Sequence, residues 1–343
     1  MEVRQTIVPL QYLRGVAAMM VVLHHAGQSM WGQDLERGRW NFGQMGVMIF
    51  FVISGFIMLH TARHNRPGAF ALHRVIRVVP LYWLLTGVYF AILFRNDLLS
   101  TDPLRRLPSL VASLFFVPRY HIGMPENIWP VLVQGWTLNF EMFFYALFAV
   151  GLAFGRPGAV AAGIVVALVA LGQVIPGDSA LFLTWTSPLM LLFVAGLALA
   201  ELRARRGMAG LVWLLPVAGL VTLACAFGGL GGAELAPAYL AAIGVVAGTI
   251  AWADRGRYPD VPLLARLGDA SYSIYLSHTL FLIALMPLLR MLPLTGWLQF
   301  AVVTVLAVGL STGLGVVVHD RLERPMTQAL RRRFDRGRMA RTA

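Results

Sequence analysis

The chain alternates between apolar runs close to twenty residues long and short polar or basic breaks. The runs cover residues 8–26, 43–60, 80–94, 136–154, 158–175, 183–200, 210–227, 236–252, 272–289 and 297–318. A helix rising about 1.5 Å per residue needs about 20 residues to cross the hydrocarbon core of a bilayer. Backbone in lipid must satisfy its own hydrogen bonds, so only helices or a closed barrel can span, and these runs lack the period of two that a barrel needs. The pattern therefore predicts an all-α polytopic membrane protein with about ten spans. No internal repeat or linker divides it, so residues 1–343 read as a single bundle domain with a basic tail at 319–343. The longest non-spanning stretch, residues 95–134, carries five prolines and an apolar piece, 109–117, too short to cross. The first run has no A-x-A site after it and Arg14 inside it, so it reads as a retained span rather than a signal peptide.

Composition agrees. The sequence is 58% hydrophobic and 13% charged, about half the charged share of a soluble domain, and its mean hydropathy is +0.70. The net charge of +12 is carried by arginine alone, because the sequence contains no lysine. Schiff-base and lysine-nucleophile chemistry are thereby excluded. A single cysteine, Cys225, excludes a disulfide within the chain, and no metal-ligand motif is present. With both termini on the cytoplasmic face, cytoplasmic segments hold twenty of the arginines and outer loops only seven. That asymmetry sets the predicted orientation. It makes the basic tail a topology determinant touching anionic lipid rather than a nucleic-acid arm.

Four groups of residues carry candidate chemistry. Arg14 lies well inside the first span, where insertion costs about 2.5–3.5 kcal/mol. His25 lies eleven residues on, and eleven steps of about 100° return to nearly the same face, about 16 Å further along. His24 points elsewhere. A snorkelling arginine with two interfacial histidines is the plain alternative. Glu141, in the fourth span with Trp136 and Thr137 above it, is predicted at the level of His25, where a carboxylate fixes an imidazole's tautomer; a structural ion pair is its alternative. Arg74 and Arg77, at i, i+3 in the basic connector 63–79, suit a phosphate or diphosphate, or serve orientation alone. Ser54 and Gly55 sit in the FFVISGF run, where small residues usually mean close helix packing. Ser271, Tyr275 and His278, at i, i+4, i+7, form a polar stripe that lines a cavity or packs.

Taken in order, Arg14-x10-His25, FFVISGF, Arg74-Val-Ile-Arg77 with Pro80, Trp136-Thr-Leu-Asn-Phe-Glu141 and SYSIYLSH resemble the membrane acyltransferase-3 family over essentially the whole chain. YLRGVAAMMVV and the closing ERP at Glu323–Pro325 are most similar to its ExoZ-type exopolysaccharide acetylases. The resemblance implies that Arg14 and His25 are required and that Arg74 and Arg77 hold the acyl donor. Thr137 departs mildly from the family's usual serine. The chain also stops soon after the tenth span, without the SGNH domain that some members add, so the bundle itself is expected to complete the transfer.

Residues and resemblance converge on an O-acyltransferase in a bacterial inner membrane. It would move an acyl group, acetyl by expectation, from cytoplasmic acyl-CoA to a hydroxyl of an exopolysaccharide or lipid-linked oligosaccharide. Acyl-CoA is a donor substrate, and no permanently bound cofactor is expected. His25 is the expected general base, Glu141 its orienting group, and Arg14 a contact to the donor. A secondary transporter and a non-catalytic export subunit are the alternatives. The first would need a repeat and a pair of broken helices, and the second leaves the charged line through the first span unexplained.

Overall fold

The computed structural model describes residues 7–31, 40–93, 106–228 and 235–339, the side chains of residues 31, 235 and 335–339 excepted. Arg37, Arg39, Arg95 and Arg105, counted above for orientation, lie outside these. The described elements are helices: α1 (Val8–Trp31), α2 (Phe42–Ala62), α3 (Pro67–Leu93), α4 (Leu107–Leu114), α5 (Trp136–Ala153), α6 (Pro157–Val174), α7 (Ala180–Trp185), α8 (Leu191–Arg206), α9 (Leu214–Gly228), α10 (Leu235–Asp254), α11 (Pro262–Asp269), α12 (Ser271–Leu289), α13 (Gly296–Val318) and α14 (Arg324–Met339). Eight of the described helical stretches are long and apolar enough to cross a membrane. The protein is an all-helical, multi-pass membrane protein. α1 is outside the eight because Arg14 and the two histidines dilute its apolar run, and α9, at 15 residues, is short.

Three boundaries differ from the hydropathy reading. The basic connector and the third span form one 27-residue helix, α3, running through Pro80. Proline is tolerated in a membrane helix when neighbouring groups satisfy the carbonyl it frees. At about 40 Å, α3 exceeds the hydrocarbon thickness, so Arg74 and Arg77 stand on a span rather than in a loop. The run at 183–200 is broken between α7 and α8 by a 3₁₀ turn at Pro188–Met190. The tail is helical: α13 passes through a π-helical turn, His319–Glu323, into α14.

The chain forms two compact units, Met1–Thr61 with Leu192–Val318, and Ala62–Leu191 with His319–Ala343. In the first, α1 packs against α10, α11, α12 and α13. Ala18, Val22, Ala270 and Ile274 form one buried cluster, and Ala26, Leu282, Met286, Val303 and Ala307 another. The ends of α2, α8 and α10 coincide, since Arg203 binds Asp254 at 2.8 Å and reaches His60 at 3.4 Å. Tyr12, near the start of α1, joins the loop after α10. Its hydroxyl donates to the Pro259 carbonyl at 3.0 Å and accepts from Val261 N–H at 2.9 Å. Alternating spans require this shared end.

In the second unit, Phe70 of α3 meets Tyr145 and Phe148 of α5. A tight turn at Gly155, whose φ of 69° suits a residue without Cβ, returns α5 into α6. The eight-residue α4 does not cross. Its last carbonyl, on Leu114, accepts from Trp83 Nε1 at 2.8 Å, and the Phe116 ring stacks on Tyr82 of α3. Trp83 lies ten residues, or about 15 Å, before the end of α3, so α4 dips alongside that helix.

α2 and α8 touch backbone to backbone. A Cβ on Gly55 would stand 2.1 Å from the Phe193 carbonyl oxygen, and one on Gly196 would stand 2.2 Å from that of Val52. The small residues of FFVISGF are therefore a packing device, as membrane helices use in place of a hydrophobic driving force. Gly55→Val is expected to cost about 1–3 kcal/mol through overpacking, read as a lowered thermal midpoint in detergent. Gly309→Ala in α13, where a Cβ meets nothing within 4 Å, should leave the midpoint unchanged or raised.

Candidate functional site

Two predicted polar faces meet in the first unit. Arg14 Nη2 donates to Ser271 Oγ at 2.9 Å, and Nη1 donates to Gln11 Oε1 at 3.1 Å. Further along α1, His25 Nδ1 lies 3.0 Å from the Val21 carbonyl oxygen and 3.3 Å from His278 Nε2. Ser271 opposes Arg14 and His278 opposes His25, so α1 and α12 run in the same direction. The Ser271–Tyr275–His278 stripe of α12 lies along the Arg14–His25 face of α1. Ser271 and His278 are fully buried. Tyr275 is nearly so, with its ring between Phe50 and His278 at 6.2 Å from each. The charge at the half-buried Arg14 is met by a hydroxyl and an amide that both accept.

His24 takes the other direction that its rotation predicts. Its ring packs where a Cβ on Gly43 would stand 2.6 Å from it, and its carbonyl accepts from Trp40 Nε1 at 3.3 Å. The His25 ring is held differently. A carbonyl only accepts, so the Val21 oxygen assigns a proton to His25 Nδ1 and leaves Nε2 of the neutral ring as the basic nitrogen.

The second unit holds the remaining candidates apart from Ser54, which is in the first. Glu141 accepts a hydrogen bond from the Tyr145 hydroxyl one turn along α5. Glu141 and His25 belong to different units, and the contacts at His25 Nδ1 are to Val21 and His278. The Arg74 guanidinium lies over the Phe70 and Tyr145 rings, 5.4 and 5.5 Å from their centroids, and its buried Nε has no hydrogen-bond partner. Arg77 pairs with Glu323, whose other oxygen lies 2.8 Å from His319 Nδ1. Glu323 is 1% exposed and Arg77 29%. Thr137, also buried, donates to the Gln134 carbonyl at 3.1 Å, Trp136 packs edge-on against Phe140, and Ser54 is half-buried on α2 beside Gly55.

Sequence reasoning singled out Glu323 only within the closing ERP, and gave no role to His319. The signal lay in the π-helical turn, an insertion that hydropathy does not register and that is frequent at functional sites. It also missed a cleft beside α4 lined by Arg106, Ser109, Arg119, Tyr120, His121 and Trp129. Burial, and then neighbouring Arg106, hold the His121 imidazole below its ordinary value, with Glu126 pulling the other way. Among the described residues, no group of three His, Cys, Asp or Glu side chains is placed to hold a metal ion.

Comparison with known proteins gives the family. Residues 8–316 match the acyltransferase-3 domain family. The chain is 41% identical over 289 residues to the exopolysaccharide production protein ExoZ of Rhizobium meliloti (strain 1021), covering 80% of this chain and 81% of that one. It is 27% identical over 311 residues to the acyltransferase MdmB of Streptomyces mycarofaciens, covering 78% and 76%. Over 184 residues it is 29% identical to nodulation protein 10 of Rhizobium leguminosarum bv. viciae, covering 47% and 48%. No solved structure matches. The polar seam of α1 and α12 and the basic face of α3 lie on a chain that belongs to the acyltransferase-3 family, and the protein is a membrane-bound acyltransferase.

Proposed function

We propose that the protein transfers an acetyl group from acetyl-CoA, entering from the cytoplasm, to a hydroxyl of an exopolysaccharide or its lipid-linked precursor. The observation that carries this reading is the seam of α1 and α12, where Arg14 and His25 are held by Ser271 and His278. The 41% identity to an exopolysaccharide production protein supports the acceptor class, and the arginine asymmetry supports cytoplasmic termini in the inner membrane. His25 Nε2 accepts the proton of the acceptor hydroxyl as its oxygen attacks the thioester carbonyl. The C–O bond forms, the C–S bond breaks, and the proton passes from His25 to the leaving thiolate. General-base help of this kind is worth about 10²–10⁴-fold. Arg14, held by Gln11 and Ser271 about 16 Å before His25 along α1, contacts a negatively charged or carbonyl group on the donor away from the reacting carbon.

Arg74 is the leading phosphate contact for the donor, because its Nε is unsatisfied while Arg77 is engaged by Glu323. Tyr145, fixed by Glu141, supports the Arg74 guanidinium from below.

His25→Ala is expected to abolish acetylation and His24→Ala to retain most of it, since His24 packs against Gly43 on another face. Mass spectrometry of surface glycan, normalised to inserted protein, makes the comparison, and equal losses would reduce His25 to a packing role. Arg74→Gln should weaken CoA binding by calorimetry without lowering the thermal midpoint. Arg77→Leu should instead destabilise the fold by about 3 kcal/mol, because it strips a cation from the fully buried Glu323. Glu323→Leu should cost less, since the partly exposed Arg77 can still reach water. Unchanged CoA affinity in Arg74→Gln would leave the basic pair a role in orientation alone.

A further inference from the structure

The His25 ring has two acceptors at Nδ1, and they are not equivalent. The Val21 carbonyl is one turn back on the same helix, an acceptor available to any helical side chain that folds back. His278 comes from α12, and its own bonding fixes what it offers. Its Nδ1 lies 2.6 Å from the Tyr275 carbonyl oxygen and 3.3 Å from that of Ile274. Carbonyls only accept, so this nitrogen carries the proton. A proton on Nε2 as well would aim an N–H at His25 Nδ1, which already carries the hydrogen facing Val21. Two donors cannot share a 3.3 Å contact, so His278 Nε2 presents a lone pair, and the single Nδ1–H of His25 is shared between Val21 and His278.

We infer that His278 is the positioning residue for His25, holding its Nδ1–H so that Nε2 faces the reacting hydroxyl. This rests on the reading of His25 as general base. A flip of the His25 ring about its Cβ–Cγ bond would exchange Nδ1 with Cδ2 and Nε2 with Cε1, moving the basic nitrogen by about 1.3 Å, one ring bond length. A misplacement of about 1 Å is enough to cost about 10²-fold in rate. A C–H at the flipped position cannot donate to His278 as the N–H does, so the contact selects one ring orientation. The holder is itself rigid. His278 is fully buried, and a Cβ on Gly315 of α13 would stand 2.7 Å from Ile274 Cα, so α12 is clamped one turn below. No carboxylate is needed for this task. A neutral acceptor fixes the tautomer without placing a second charge in a membrane helix.

The test compares three variants of the full-length protein in nanodiscs, with acetyl-CoA and an isolated exopolysaccharide acceptor. His278→Leu keeps the volume and removes the acceptor. It should lower kcat about 100-fold and leave KM for acetyl-CoA within about two-fold. His278→Gln, whose amide oxygen reaches the place of Nε2 and can accept from His25 Nδ1–H, should recover at least about ten-fold of that loss. In protein labelled with ¹⁵N-histidine, the Nδ1–H resonance of His25 should move or broaden in His278→Leu and return in His278→Gln. The resonance reads ring orientation whatever the chemistry. If His25→Ala keeps its turnover, the base assignment fails and the resonance alone decides the role of His278. Equal loss in His278→Leu and His278→Gln with a matching fall in thermal midpoint, or wild-type kcat with an unmoved resonance in His278→Leu, would overturn it.

Discussion

The contact on which the first unit depends is the meeting of one polar helix face with another within the span. α1 carries an arginine and two histidines into a span, and each would be too costly against lipid. The cost falls only if a neighbour supplies acceptors at the right heights, and α12 does so with Ser271 opposite Arg14 and His278 opposite His25. The two helices must therefore run in the same direction and in one register. Sliding α12 by one residue would rotate its stripe about 100° away and strand both groups. The polar seam thus fixes the packing of α1 and the contacts of the His25 ring at once.

Close backbone approach holds that seam. Lipid tails are as apolar as leucine, so burial of side chains gives little drive between helices, and contact area must come from small residues. Cβ atoms on Gly15 and Gly268 would stand 3.0 Å from Leu267 Cβ and 2.0 Å from the Gln11 carbonyl oxygen and force α1 and α11 apart, and one on Gly46 would stand 2.6 Å from the Ala17 carbonyl oxygen. α11, an amphipathic helix absent from the hydropathy reading, owes its place to this fit. Its Gly268 lies against the Gln11 backbone, one turn before Arg14, and Gln11 is also an Arg14 partner. Packing and electrostatics are therefore secured by the same few residues.

The second unit divides its basic pair between two tasks. Arg77 balances a buried carboxylate that also holds His319, and so ties α3 to the π-helical turn at the base of the tail. Arg74 lies on aromatic rings, its buried Nε without a hydrogen-bond partner. Arginines three residues apart on one helix are alike in sequence, and only their partners separate them.

Much was legible along the chain because it is local. Apolar run length determined that α2, α3 and α6 are membrane-length helices, and the helical period placed Arg14 with His25, and Ser271 with Tyr275 and His278. The small residues of FFVISGF already pointed to close packing, which Gly55 against Phe193 makes. Which face meets which was not legible. Hydropathy does not distinguish lipid from a neighbouring helix, so nothing local paired the stripe of α12 with the polar face of α1. Only the tertiary structure brought a residue 253 positions away to His25 Nδ1 and Glu323, 246 positions away, to Arg77. Pro80 and Pro188 make the same point, one carried within a continuous helix and the other breaking a span. A proline's effect depends on whether its surroundings satisfy the carbonyl it frees, and those surroundings come from the fold.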